Sequence, residues 1–109
     1  MRDDKVYLEH ILESIDYIAS FVTVGKDEFF NSRLIQDAVI RNLEIIGEAV
    51  KNLSSTIRAQ HQDIPWREMA GLRDILIHEY FGVDLHTVWG VVEKELPRLK
   101  PAIQAILEQ

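Results

Sequence analysis

The sequence contains no cysteine, which excludes disulfide bonds and thiolate metal sites. Long apolar runs are missing too, because no uninterrupted stretch approaches the roughly 20 residues that a membrane helix requires. The opening residues, MRDDKVYLEH, lack the apolar core of a signal peptide. We therefore expect a cytoplasmic protein that makes no membrane contact.

Positive charge is scarce as well, with 12 lysines and arginines against 18 acidic residues and a net charge of −6. A protein that bound nucleic acid mainly by neutralising phosphates would normally be basic. The charge is uneven, however, since residues 33–73 hold six basic residues against five acidic ones, whereas residues 1–32 hold three against seven. Any contact with a polyanion is therefore expected to be local and close to the middle of the chain.

The 109 residues, 47% of them hydrophobic, are enough for one domain, residues 1–109. Apolar residues recur with a helical period, and no segment shows the alternation of a half-buried strand. Asp3 or Asp4 is expected to cap the first helix and Asp84 the fourth, whereas Pro97 either kinks that helix or opens a fifth. The sequence predicts an all-α, up-and-down bundle of four to five helices, with helical segments at residues 4–22, 32–53, 65–80 and from 84 onward.

The predicted third helix carries an arginine within its apolar arc. At about 100° per residue, Arg73 falls between Trp66, Ile77 and Tyr80. An unpaired guanidinium is too costly to bury, so Arg73 must meet a carboxylate, an open cleft, a subunit interface or a bound anion. An ordinary ion pair is one interpretation, and the predicted second helix offers two carboxylates for it, Glu44 and Glu48.

A polar stripe borders that arc, and Asp74 and His78 lie on it four residues apart, where they can form a hydrogen bond. These residue types suit phosphodiester chemistry: an arginine binds phosphate with two parallel hydrogen bonds, and a histidine can carry the proton of a ribose 2′-hydroxyl. Tyr80 could donate a hydrogen bond or stack on a base. This chemistry needs no metal or other cofactor, and HEYFG lacks the His-Glu-x-x-His zinc pattern.

Two further features have competing interpretations. Trp66 and Trp89 lie on apolar stripes, which favours core packing over base stacking. Gly47 and Gly71 lie inside predicted helices, where each costs about 1 kcal/mol relative to alanine. We expect these glycines to permit a close approach of helices or subunits.

Four segments of the chain together resemble the HepT-like ribonuclease toxins, an all-helical group of the HEPN superfamily. RDILIHEYFGVD (73–84) is similar to the Arg-x4-His-x-Tyr signature of that group. The other three segments match the family in its order along the chain: RNLEIIGEAVKNL (41–53), IPWREMAGLRD (64–74) and VWGVVEKELPRLK (88–100).

This resemblance implies a HEPN-like fold and a metal-independent endoribonuclease that is the toxin of a type VII-like toxin–antitoxin pair. It implies that Arg73 and His78 are catalytic, that Asp74 assists them, and that two copies line one cleft in a homodimer. It also implies a nucleotidyltransferase antitoxin that transfers AMP to Tyr80. The alternative is a module without catalytic activity, which binds a nucleotide or dimerises in the service of a nucleotidyltransferase partner.

Overall fold

The structure, a computed structural model, describes residues 2–78 and 84–109, and the side chains of all of these except residues 2 and 73–78. The described residues form helices joined by short links and contain no strand, which confirms the predicted all-α class. The helices are α1 (Arg2–Phe21), α2 (Lys26–Asn31), α3 (Arg33–Lys51), α4 (Ser55–Gln60), α5 (Trp66–His78), α6 (Leu85–Gly90) and α7 (Leu96–Leu107), with a 3₁₀ turn at Val22–Val24 and a π-helical turn at Val91–Glu95. Within these residues, no helix combines the length and the apolar character needed to span a bilayer.

Helix α3 occupies the centre of the bundle, packed against α1 on one side and α5 on another, while α7 packs against α1. This arrangement follows from the wide apolar arc of α3, which is more than a single neighbouring helix can cover. Its buried residues include Val39, Leu43 and Val50, each with no exposed surface.

A buried carboxylate joins the start of α1 to the start of α4. Asp4, only 5% exposed, lies inside the first turn of α1 and accepts hydrogen bonds from the Ser54 backbone N–H at 2.8 Å and the Ser54 hydroxyl at 2.7 Å. The Ser54 hydroxyl oxygen in turn accepts the Ile57 N–H at 3.2 Å and so caps α4. Because α1 begins at Arg2, neither Asp3 nor Asp4 is its N-cap, and that prediction is wrong; Asp4 instead connects two helices.

The link predicted between the first two long helices contains a helix of its own, α2. Gly25 enters it with φ 99°, a conformation that favours glycine. Phe29 of α2 is fully buried, and its ring centroid lies 5.2 Å from that of Trp89. The Gln36 side-chain amide donates to the Phe29 and Phe30 carbonyls at 3.0 and 3.1 Å, which satisfies two acceptors at the end of α2. Six residues are too few for a periodic pattern, so the sequence did not predict this helix.

The C-terminal helices begin as the sequence predicts. The Asp84 carboxylate accepts the His86 N–H at 2.9 Å and the Thr87 hydroxyl at 3.1 Å, which caps α6. These hydrogen bonds lower the pKa of Asp84 below its usual 3.8. Pro97 lies in the first turn of α7, directly after the π-helical turn, where a missing N–H disrupts the regular hydrogen-bond ladder.

Candidate functional site

Helix α5 carries the candidate catalytic positions, and its rotation is set at its first turn. Trp66 is 7% exposed, and its indole N–H donates to the His61 carbonyl at 2.9 Å. The first turn of the helix closes with the Met69 N–H donating to the Pro65 carbonyl at 3.1 Å. Because Trp66 and Met69 are both buried, the face of α5 that carries them is turned toward the core. The role of Trp66 as a core anchor is confirmed.

The helical register assigns the predicted site residues to two different faces of α5. Position 73 lies about 20° around the helix from Trp66 and about 40° from Met69, on the line that is buried at the start of the helix. Positions 74 and 78 each lie within about 20° of Arg67, which is exposed. Position 73 thus lies about 100° around the helix from position 74 and about 140° from position 78, so the α5 backbone puts the predicted arginine on a different face from the predicted aspartate and histidine.

Several predicted interactions lie outside the described part of the structure. The side chains of Arg73, Asp74 and His78 are not among those described, and Tyr80 falls between the two described ranges. The Asp74–His78 hydrogen bond and the ion pair of Arg73 with Glu44 or Glu48 consequently stay predictions.

The carboxylates proposed as partners for Arg73 lie at a polar cavity between α1 and α3. Glu44 is 18% exposed and lies 3.4 Å from the Arg41 guanidinium, so it already has a cationic partner. The cavity has a volume of about 260 Å³ and is lined by Tyr7, His10, Arg41, Glu44, Ile45, Glu48, Ala49 and Asn52. Its polar residues come from both helices, so Glu44 and Glu48 border a cavity that α3 shares with α1.

A second depression lies between α4 and the exposed edge of α5. It has a volume of about 670 Å³ and is lined by Ser55, Arg58, Trp66, Arg67, Ala70 and Gly71. Arg67 and Gly71 belong to the same helical line as Asp74 and His78, so this depression lies along the stripe that carries two of the predicted site residues. Sequence reasoning did not assign a function to Arg58; the basic excess of residues 33–73 was the only signal that pointed to it.

A family model described as Ribonuclease HepT-like matches residues 11–106 of this chain. The chain belongs to the ribonuclease HepT-like family. The matched range contains all four predicted site residues: Arg73, Asp74, His78 and Tyr80.

Individual relatives agree with this membership of the HepT-like family. The chain is 52% identical over 109 residues to a Methanocaldococcus jannaschii protein named "Gamma-glutamylcyclotransferase and putative RNase"; the match covers 99% of this chain and 49% of that protein, so this chain spans about half its length. It is 42% identical over 110 residues to a "Putative RNase" of Caldanaerobacter subterraneus, with 100% of this chain and 98% of that protein covered. It is 48% identical over 100 residues to a "Probable ribonuclease HepT" of Thermococcus cleftensis, with 91% of each covered. No solved structure gives a significant match.

Proposed function

We propose that this chain is a metal-independent endoribonuclease and the toxin of a toxin–antitoxin pair, with Arg73 and His78 as catalytic residues. The observation that carries the proposal is the register of α5, in a chain that belongs to a ribonuclease family. Position 73 follows the buried line of Trp66 and Met69, whereas positions 74 and 78 follow the exposed line of Arg67. A guanidinium at such a position needs an anionic partner, and an RNA phosphate in a cleft is one.

In the proposed reaction, the 2′-hydroxyl oxygen of a ribose attacks the adjacent phosphorus. His78 takes the 2′-hydroxyl proton, and the proton passes to the 5′-oxygen as the bond between phosphorus and that oxygen breaks. The products are a 2′,3′-cyclic phosphate and a 5′-hydroxyl. Arg73 binds the phosphate oxygens, on which negative charge grows in the transition state. Asp74, four residues before His78, favours the protonated form of the imidazole.

Two copies of the chain would line one cleft in the proposed homodimer, so that two guanidinium groups meet a single strand of RNA. A nucleotidyltransferase antitoxin would inactivate the enzyme by transferring AMP to Tyr80. Tyr80 is seven residues from Arg73 in the sequence, a spacing that the helical pattern of the sequence predicts to be along one line. A phosphate attached there would compete with RNA for Arg73.

Cleavage by a variant without the imidazole tests the enzyme proposal. The purified parent should cut single-stranded RNA in the presence of a chelator and leave cyclic phosphate ends, whereas His78→Ala should not cut. The variant should keep the parent's melting temperature and oligomeric state. Absence of cleavage by the parent, together with nucleotide binding that survives His78→Ala, would favour the module without catalytic activity.

The inactivation step has a separate test. Coexpression with a cognate nucleotidyltransferase should raise the intact mass of the parent by whole multiples of an AMP group, while Tyr80→Phe should keep its original mass. The Tyr80→Phe protein should also stay toxic in the presence of that partner. An unchanged mass of the parent would contradict the modification without affecting the nuclease proposal.

A further inference from the structure

The depression lined by Ser55, Arg58, Trp66, Arg67, Ala70 and Gly71, called here the α4–α5 depression, contains two arginines from two different helices. Arg58 comes from α4 and is partly buried, and its Nε–H donates to the Ser54 backbone carbonyl at 3.5 Å. That hydrogen bond holds the guanidinium group near the Ser54 carbonyl and uses only one of its five N–H donors. Arg67 comes from α5 and is exposed.

Within the part of the chain that the structure describes, neither Arg58 nor Arg67 has a carboxylate within ion-pair distance. This contrasts with other cationic side chains, since Arg41 lies 3.4 Å from Glu44 and Lys100 lies 2.8 Å from Asp16. The acidic residues outnumber the basic ones by six in this protein, so two arginines that share a depression without a described counter-ion are unusual for it. The depression is thus suited to an anion from outside the chain.

The depression also lies in line with two of the proposed site residues, Asp74 and His78. Arg67 and His78 belong to one helical line of α5 and are eleven residues apart, about 16 Å along the helix axis. A single strand of RNA that had one phosphate at the catalytic position could follow this line and reach the depression with a phosphate a few nucleotides away. Trp66 is 7% exposed and bonded to His61, so it offers little surface for a base.

We infer that the α4–α5 depression is a second phosphate-binding site, in which Arg58 and Arg67 hold the backbone of single-stranded RNA beside the cleavage site. The inference rests on the proposed ribonuclease function. Contacts with phosphates position a strand but carry no direct sequence information, so this site contributes affinity and placement without base preference.

The net charge of −6 does not oppose this local binding. Charges separated by more than about 8 Å of solvent are largely screened at physiological ionic strength. A phosphate in the depression therefore interacts mainly with Arg58 and Arg67, and less with acidic residues elsewhere on the surface.

Binding of an oligonucleotide that cannot be cleaved tests the inference. The probe is a mixed-sequence, single-stranded 2′-O-methyl oligonucleotide, which has no free 2′-hydroxyl, titrated with protein at several salt concentrations. The double variant Arg58→Ala/Arg67→Ala should bind about tenfold more weakly than the parent, and Arg67→Glu, at an exposed position, should also bind more weakly. Because each contact with single-stranded phosphate contributes about −0.7 to the slope of log K against log salt, the slope should become shallower by about 1.4 in the double variant.

A second pair of substitutions provides a control with the same change in charge. Lys26→Ala/Lys94→Ala also removes two positive charges, at exposed positions outside the depression, and should leave the affinity and the salt slope close to the parental values. With cleavable RNA, the arginine variant should lose efficiency chiefly through a raised KM, since its residues hold the strand away from the reacting phosphate. Melting curves check that each variant is folded.

The outcomes separate the two proposals. If the parent cleaves RNA and the arginine variant behaves like the lysine control, the second phosphate site is wrong and the ribonuclease proposal stands. If the parent binds the probe through Arg58 and Arg67 but never cleaves RNA, the site stands and the catalytic proposal fails. If the arginine variant binds the probe normally but no longer binds the nucleotidyltransferase, the depression is a protein-docking surface and the inference is overturned.

Discussion

The arginines of helix α3 and those on the surface formed by α4 and α5 differ in whether a carboxylate is paired with them. On α3, Arg33 lies 3.7 Å from Asp37 and Arg41 lies 3.4 Å from Glu44, each pair one turn apart on the same helix. On the other surface, Arg58 and Arg67 share a depression and have no such partner among the described residues. Ion pairs one turn apart on a helix contribute only a few tenths of a kcal/mol, so on α3 they chiefly balance charge.

This difference gives a way to separate structural from functional charge in a small acidic protein. A cation whose counter-ion is already present on its own helix has little to offer a ligand. A cation without one keeps its hydrogen-bond donors available for a phosphate. Removal of residues of the first kind should affect neither activity nor fold, whereas removal of residues of the second kind should affect activity where they share a depression, as Arg58 and Arg67 do.

The largest expected contrast is between two arginines, Arg73 on α5 and Arg41 on α3. Arg73→Ala should lower kcat about a thousandfold, because it removes the donor that stabilises charge in the transition state. Arg41→Ala, which removes a side chain that is 71% exposed, should leave kcat within about twofold. Both are measured by single-turnover cleavage of a labelled RNA.

The ion-pair interpretation of Arg73 makes a different prediction in the same assay. Arg73→Lys, which keeps the charge, should then be nearly silent, and a double-mutant cycle of Arg73 with Glu48 should show strong coupling in stability. Loss of activity in Arg73→Lys with little coupling to Glu48 would instead support a bidentate contact with phosphate.

A smaller effect, on stability alone, is expected at Asp4, a buried carboxylate whose hydrogen bonds are made within the protein. Asp4→Ala should lower the free energy of unfolding by about 2 kcal/mol, because it leaves the Ser54 N–H and hydroxyl without their acceptor. In a domain of this size that loss corresponds to a decrease of about 10 °C in melting temperature. Asp3→Ala, one residue earlier and exposed, should change it by less than about 0.5 kcal/mol. Equal effects of the two substitutions would show that the link between α1 and α4 contributes nothing.

The same residues show which parts of the structure a sequence can predict. The long helices and the Asp84 cap depend on patterns that span only a few residues, and the sequence therefore predicted them. The predicted helix ends lie within one or two residues of those that the structure describes. Asp4 and Ser54 are fifty residues apart, and Arg58 and Arg67 come from helices whose packing no local pattern specifies. For this reason the sequence could indicate Arg73, Asp74 and His78, which share one helix, but not the depression beside them.

Gly71 offers a test in which stability and binding should move in opposite directions. A Cβ at this position would meet no described atom within 4 Å, and alanine favours helices by up to about 1 kcal/mol over glycine. Gly71→Ala should therefore raise the free energy of unfolding by about 0.5–1 kcal/mol. Because Gly71 lines the α4–α5 depression, the added methyl group should also weaken binding of RNA, or of a second subunit that approaches there, by a few fold.

Gly90→Ala is the matched control, since Gly90 is also helical, has equally open surroundings and lies outside the depression. It should stabilise the protein without affecting RNA binding or dimerisation. A Gly71→Ala protein that is more stable and binds normally would show that this glycine serves no close approach of a ligand or subunit.

The smallest expected effect is a pH-dependent change in stability at Asp84. This carboxylate bonds only to neighbouring residues of its own helix and has a role in the fold alone. Its hydrogen bonds to His86 and Thr87 form in the folded chain and lower its pKa below the usual 3.8. The stabilisation is therefore fully present above about pH 4 and disappears as the pH falls through the lowered folded-state pKa. Denaturant unfolding should show Asp84→Ala less stable than the parent at neutral pH, with the difference closing in strong acid. If the difference in stability between Asp84→Ala and the parent stayed constant with pH, packing and not the charged cap would start α6. A loss of RNA cleavage by this variant at neutral pH would instead extend the functional surface from α5 to the start of α6.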